Sequence, residues 1–242
     1  MYDSSDYFAA PEVPPNWESA IIPVDKPRGI TSFDVIRRLR KITNQRKIGH
    51  AGTLDPMATG LLICLFGRST KKMGTFLEMR KRYTGTIRMG ETTPSYDADT
   101  PVVESKDIKD LDTEQVQGAA ELFVGELRQE TPMYSAVRHQ GERLYKKARR
   151  GEKVKSPIRD VSVYSFEVGE LSGPDIPFDI TCSKGTYIRA IAHDIGQALN
   201  VGAHLIELRR INVGDIHVDQ AWDLDELGSH CTSSTTHLNT TL

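Results

Sequence analysis

The sequence predicts an α+β domain, and three observations carry that reading. Strand and helix signals follow one another irregularly, without the regular βαβ rhythm of a doubly wound sheet. The 242 residues are enough to bury a sizeable core. A hydrophobic share of 38% and a charged share of 26% are those of a soluble globular chain.

Taken in order, residues 1–19 hold three prolines before Trp17 and few apolar side chains, so they are expected to form a flexible N-terminal arm. Ile21 to Val24 is a short strand, and Asp25-Lys26-Pro27-Arg28-Gly29 a turn. Thr31 or Ser32 then caps a helix whose apolar stripe is Val35, Ile36, Leu39 and Ile42. Residues 47–62 concentrate three glycines, His50 and Asp55-Pro56, and run into the apolar segment Leu61 to Phe66, a buried strand or short helix. Pro56 biases Asp55 toward extended backbone, so Asp55 belongs to a shaped loop.

Thr70 to Met79 has helical spacing, and Arg82 to Met89 alternates as a strand. Residues 91–101 form an acidic loop. Thr113 opens a helix with Val116, Ala119, Ala120 and Phe123 inward. Val161 to Val168 and Phe178 to Cys182 are strands. Gly185 breaks the second, and Thr186 caps a helix bearing Ile188, Ile191, Ala192, Ile195 and Leu199. Residues 203–218 mix a turn with a final strand. Residues 229–242 carry 8 Ser/Thr and no charged side chain, so 228–242 are expected to be a disordered tail.

No apolar run approaches the ~18 residues of a membrane span, and the acidic, Pro-rich N-terminus is no signal peptide. Cys64, Cys182 and Cys231 are too dispersed for a zinc site or a disulfide framework, which suggests a reducing, cytoplasmic setting.

The net charge of −2 conceals polarity. Residues 37–82 hold 12 Lys/Arg against 2 acids, and residues 138–155 hold 8 against 2. Each run alone is compatible with a solvated face. Two such zones, one of them around the glycine loop, point to a polyanion such as nucleic acid.

The chemistry narrows by elimination. No cluster of His, Cys or carboxylates suggests a metal, no Gly-rich loop ending in Lys-Ser/Thr suggests ATP, and no Gly-x-Ser-x-Gly elbow suggests a serine hydrolase. Asp55 either bonds its own loop backbone or acts as nucleophile, base or ligand. His50 either orients the loop or donates to a phosphate, and Gly49-His-Ala-Gly52 also spells the GxxG loop of the KH domain. Tyr83 packs in a core or stacks on a base. Arg189, in Cys182-Ser-Lys-Gly-Thr-Tyr-Ile-Arg189, is solvated or pairs with a carboxylate or phosphate.

Together these residues resemble the bacterial tRNA pseudouridine synthase B family. Gly-His-Ala-Gly-Thr-Leu-Asp-Pro-Met-Ala-Thr-Gly is similar to its catalytic motif, with Asp55 in the nucleophile position. Asp25 to Gly29, Lys81-Arg82-Tyr83, Cys182 to Arg189 and Leu208-Arg209-Arg210 are similar to four further motifs in the same order. The resemblance covers roughly residues 20–225.

It implies the pseudouridine synthase fold: a mixed, mostly antiparallel central sheet flanked by helices and loops, in a catalytic domain over 20–227. It implies isomerisation of uridine 55 in the tRNA T loop by base flipping, without cofactor, metal or protein partner, by a monomer. Asp55, Tyr83 and Arg189 become catalytic, with Arg189 pairing with Asp55. His50, Tyr83, Tyr187, Leu208 and Lys26 become substrate-binding. Residues 131–155 become an RNA-clasping insertion in which Arg138, Arg143, Lys146, Lys147, Arg149 and Arg150 meet the RNA. The C-terminal PUA domain frequent in the family is expected to be absent. Two other readings remain: a guide-dependent, dyskerin-like synthase acting on ribosomal RNA, and a non-catalytic RNA-binding or chaperone module.

Overall fold

The structure, a computed structural model, describes residues 4–238 except 136, 140, 153 and 155. In chain order its elements begin with β1 (Ser19–Lys26), α1 (Ser32–Thr43), β2 (Ile48–Ala51), β3 (Thr59–Gly67), α2 (Met73–Glu78) and β4 (Lys81–Met89). Then come β5 (Glu91–Thr92), β6 (Glu104–Ser105), α3 (Thr113–Glu121), β7 (Gly125–Glu130), β8 (Arg138–His139), β9 (Glu142–Arg143) and α4 (Leu144–Arg149). The last are β10 (Ile158–Val168), β11 (Asp175–Cys182), α5 (Ile188–Ala198), β12 (Ala203–Val213), β13 (Ile216–His217) and α6 (Leu224–Leu238). The chain divides into two compact units, residues 1–81 with 209–242, and residues 82–208. None of the described helices is long and apolar enough to cross a membrane.

The first unit is built around β3, which settles the Leu61–Phe66 alternative as a strand. β1 and β2 pair with β3 antiparallel, whereas β12 runs parallel to it at Arg209↔Thr59 and Arg210↔Gly60. Successive side chains of a strand point to opposite faces. Leu62, Cys64 and Phe66 therefore join one core with Val35, Ile36 and Leu39 of α1 and Trp222, Leu224 and Leu227. Leu61, Ile63 and Leu65 join another with Phe76 of α2, Val213, Ile216 and Val218. Full burial of each large aliphatic or Phe side chain is worth about 1.5–3 kcal/mol, so β3 is a firmly held base for the loop that precedes it.

Helix α1 starts where the sequence indicates. The Thr31 hydroxyl accepts from the Asp34 amide at 3.1 Å, and the Asp34 carboxylate accepts from the Thr31 amide at 2.8 Å, a reciprocal cap. Arg37, Arg38, Arg40 and Lys41 are exposed, opposite the apolar stripe.

Both termini of this unit differ from expectation. The arm is docked: the Phe8 amide donates to Ile21 O and the Ala10 amide to Gln220 O, each at 3.0 Å. The Asp6 carboxylate accepts from Ser19, Ser69 and Lys72 at 2.9 Å each. Phe8, Ala10, Val13 and Trp17 pack on the core. Few apolar residues suffice because β1 offers an open strand edge and β3's cluster a partly covered face. The tail is helical as far as Leu238, in α6. Burial of Leu224 and Leu227 anchors its first turn, which Ser/Thr composition did not reveal. Residues 239–242 of the expected tail lie outside the described residues.

In the second unit the strand order is β12-β4-β11-β10-β7. β10 pairs antiparallel with both β11 and β7. Phe166 and Phe178 meet edge to face with centroids 5.9 Å apart. Helix α3 buries Val116, Ala119 and Ala120 but ends before Phe123. Helix α5 buries Ile188, Ile191, Ala192 and Ile195 as expected. Its N-cap is Tyr187 rather than Thr186, whose hydroxyl donates to Ser183 O at 3.0 Å instead. The segment expected to clasp RNA carries the short ladder β8–β9 and helix α4.

Candidate active site

In the first unit, residues 52–58 form the loop between β2 and β3. The Leu54 amide donates to the Ser32 hydroxyl at 2.9 Å, the Ala58 amide to Asp55 O at 3.1 Å, and the Gly29 amide to Pro56 O at 2.8 Å. The backbone on both sides of Asp55 is thus tied down, while its side chain is half-buried.

Two buried cations hold the same loop from beneath. Lys26 is fully buried, and its ammonium donates to Ile30 O at 2.7 Å, Pro27 O at 2.9 Å and Pro56 O at 3.4 Å. Desolvation lowers the Lys26 pKa to about 8, opposed by attraction from the Asp55 carboxylate and assisted by repulsion from Arg210. Lys26, expected to bind substrate, has its ammonium buried on three backbone carbonyls. It supports the loop and supplies positive charge toward Asp55.

Arg210 is the second cation, and the sequence reading missed it. Only 1% exposed, it donates from Nε to Leu61 O at 2.6 Å and from Nη2 to Gly52 O at 3.0 Å. Two glycines make room for it. At Gly60 (φ +99°) a Cβ would lie 2.3 Å from Arg210 O, and at Gly52 (φ +90°) 3.2 Å from Nη1. Its neighbour Arg209 pairs bidentately with Asp25, at 3.0 and 2.5 Å. The available signal was two adjacent arginines in a strand, since alternation sends one of them inward.

His50, on β2, has its pKa lowered by burial and by Arg210, so it is neutral at pH 7. Its Nδ1 is buried without a hydrogen-bond partner among the described residues. A neutral imidazole next to the loop suits contact with a base or sugar better than charge pairing with a phosphate.

In the second unit, Arg189 lies in the first turn of α5 and is 3% exposed. It donates to Ser95 O at 2.9 Å and Tyr134 O at 2.8 Å, and its Nε is 3.8 Å from Asp97, itself 3% exposed. The Asp97 carboxylate also accepts from the Ser95 hydroxyl at 2.5 Å and the Asp99 amide at 3.1 Å. Asp97 is thus a buried carboxylate within the acidic loop. Tyr187 is clamped on both backbone polar groups by the Gln129 side chain, at 2.7 and 3.0 Å. Arg159 and Arg189 approach its ring to 5.2 and 5.5 Å. Tyr83, 9% exposed, is on β4, and half-buried Leu208 is on β12, the next strand.

Within the insertion, Arg143 and Lys146 are exposed and Lys147 half-buried. Arg150 is committed to Glu142 at 2.7–2.8 Å and to Glu152 at 2.7 Å. The side chains of Arg138 and Arg149 lie outside the described residues. No group of three or more potential metal ligands converges among the described residues.

Residues 40–188 match the TruB family pseudouridylate synthase (N terminal domain), and residues 189–242 the tRNA pseudouridylate synthase B C-terminal domain. The chain is 44% identical over 204 residues to the tRNA pseudouridine synthase B of Nitrosococcus oceani, covering 84% of this chain and 66% of that protein. It is 41% identical over 209 residues to that of Chloroherpeton thalassium, covering 84% and 87%. Among solved structures it is similar to the archaeal box H/ACA sRNP Nop10-Cbf5 complex, with a TM-score of 0.65 and 26% identity over 90% of this chain and 55% of that one. By sequence and by fold, the chain belongs to the TruB family of pseudouridylate synthases.

Proposed function

We propose that the protein isomerises uridine 55 in the T loop of tRNA to pseudouridine, with Asp55 as the nucleophile. The observation that carries this reading is the Asp55 loop itself, a carboxylate on a backbone pinned by Ser32, Lys26 and Arg210. Such preorganisation is what a group reacting at a fixed distance requires. The N1–C1′ bond breaks, the uracil turns, a C5–C1′ bond forms, the C5 proton leaves and N1 takes a proton. The base must leave its stack to reach the carboxylate.

Arg189 pairs with Asp55 and orients it, a role that the five donors of a guanidinium suit. Tyr83 stacks on the flipped uracil, and His50, Tyr187 and Leu208 line its pocket. The exposed cations Arg143 and Lys146 meet phosphates. The enzyme acts as a monomer on tRNA alone.

The test is tritium release from a transcript labelled at uridine C5. Purified protein alone should release it, and Asp55→Asn should stop release while tRNA binding survives. Release only with an added guide RNA would favour the ribosomal RNA reading instead. Release unaffected by the substitution would remove Asp55 from its role.

A further inference from the structure

A cavity of about 540 Å³ lies entirely in the second unit, between the basic insertion and helix α5. Its walls include Glu130, Tyr134, Glu152, Tyr96, His193 and Asp194. None of these acids takes part in the chemistry assigned to Asp55 and Arg189. Glu152 already holds Arg150 at 2.7 Å, whereas Glu130 and Asp194 have no ion pair among the described residues. Partial desolvation, with the Glu130 charge adding to it, raises the Asp194 pKa to about 6. His193 does not relieve them, because burial lowers its pKa and leaves it neutral.

Three further features mark a site rather than a gap. Thr131 lines the cavity and is only 1% exposed, yet its hydroxyl has no hydrogen-bond partner among the described residues. A buried hydroxyl without a partner is costly and suggests a missing one. Tyr96 adopts φ +66°, an uncommon region for a side chain of that size. That conformation stacks its ring on His193 with centroids 3.9 Å apart and an interplanar angle of 17°. Aromatic faces with carboxylates are the lining that organic ammonium groups prefer.

We propose that this cavity binds an elongated organic polycation of the diamine or polyamine class. Its ammonium groups pair with Glu130 and Asp194, one N–H donates to Thr131, and its methylene chain lies against Tyr96 and Tyr134. A single metal ion is the wrong shape, since no three ligands converge there among the described residues. A nucleotide is the wrong charge, since its phosphate would meet the same acids. The occupant would bridge the insertion to α5, tying an RNA-clasping segment to the helix that bears Arg189.

Calorimetry of the whole chain with spermidine and with putrescine tests this. Saturable binding at one site per chain, persisting in excess Mg²⁺, is expected. Glu130→Gln and Asp194→Asn should each weaken it about threefold to fivefold, and together about tenfold or more. Glu104→Gln, at an exposed acid elsewhere in the unit, should leave it unchanged. The proposal is overturned if spermidine shows no saturable binding, if Mg²⁺ abolishes it, or if Glu104→Gln weakens it equally. Displacement of spermidine by adenosine or cytidine would identify a base pocket and also overturn it.

Discussion

The guanidinium of Arg210 donates to the carbonyl of Leu61 at 2.6 Å, from inside the strand pair that supports the Asp55 loop. A second bond reaches Gly52 O, so one side chain ties the start of the loop to the strand that follows it. Removing it takes a donor away from each of these carbonyls, one of which is buried. Arg210→Met should cost about 2–4 kcal/mol of stability by denaturant titration. Arg210→Lys should fail to rescue, because a single ammonium lacks the planar fork that reaches both carbonyls. Wild-type stability in either variant would show that water replaces the bonds.

Gly60 makes that placement of Arg210 feasible. A Cβ there would sit 2.3 Å from Arg210 O and 2.7 Å from its N, both backbone atoms of a paired strand. Backbone cannot swing aside as a flexible side chain can. Gly60→Ala should therefore destabilise by about 2 kcal/mol or more, the strained φ of +99° adding to the clash. Gly118→Ala, in α3 where an added Cβ would meet nothing within 4 Å, should be neutral or stabilising in the same melts.

Lys26 gives a pH signature. Its folded pKa of about 8 lies below the ordinary 10.5, so between those values the unfolded chain binds more protons. Stability then rises with pH across that window, and the cost of burying the charged ammonium is fully present below it. Relative to Lys26→Met, the wild type should gain melting temperature as pH rises from about 8 to 10.5. A constant difference between the two proteins would contradict the depressed pKa.

The insertion's cations should not contribute equally to RNA affinity. Exposed Lys146 is available to a phosphate, and Lys146→Ala should flatten the log–log salt dependence of tRNA binding by about 0.7–0.9. Arg150 must first leave Glu142 and Glu152. Arg150→Ala should therefore change the slope by less. Equal changes would mean that RNA breaks those pairs.

Much of this protein is written locally. The Thr31 cap, the α1 stripe and the alternation in β4 depend on neighbours three, four or two residues away, which a sequence displays. The Asp55 loop is equally legible, because its glycines and Pro56 act on their own backbone. Short-range signals stop at side chains whose partners are distant in the chain. Arg210 meets Leu61 across 149 residues and Arg189 meets Ser95 across 94, so neither burial follows from local pattern. The docked arm and α6 escape a sequence reading for the same reason: composition describes a segment, but the open edge of β1 and the cluster around Trp222 decide whether it folds. Local pattern was enough to reveal the Asp55 loop and the class of fold. Which charges lie beneath that loop is set by the assembled chain, because burial depends on residues brought together from distant positions.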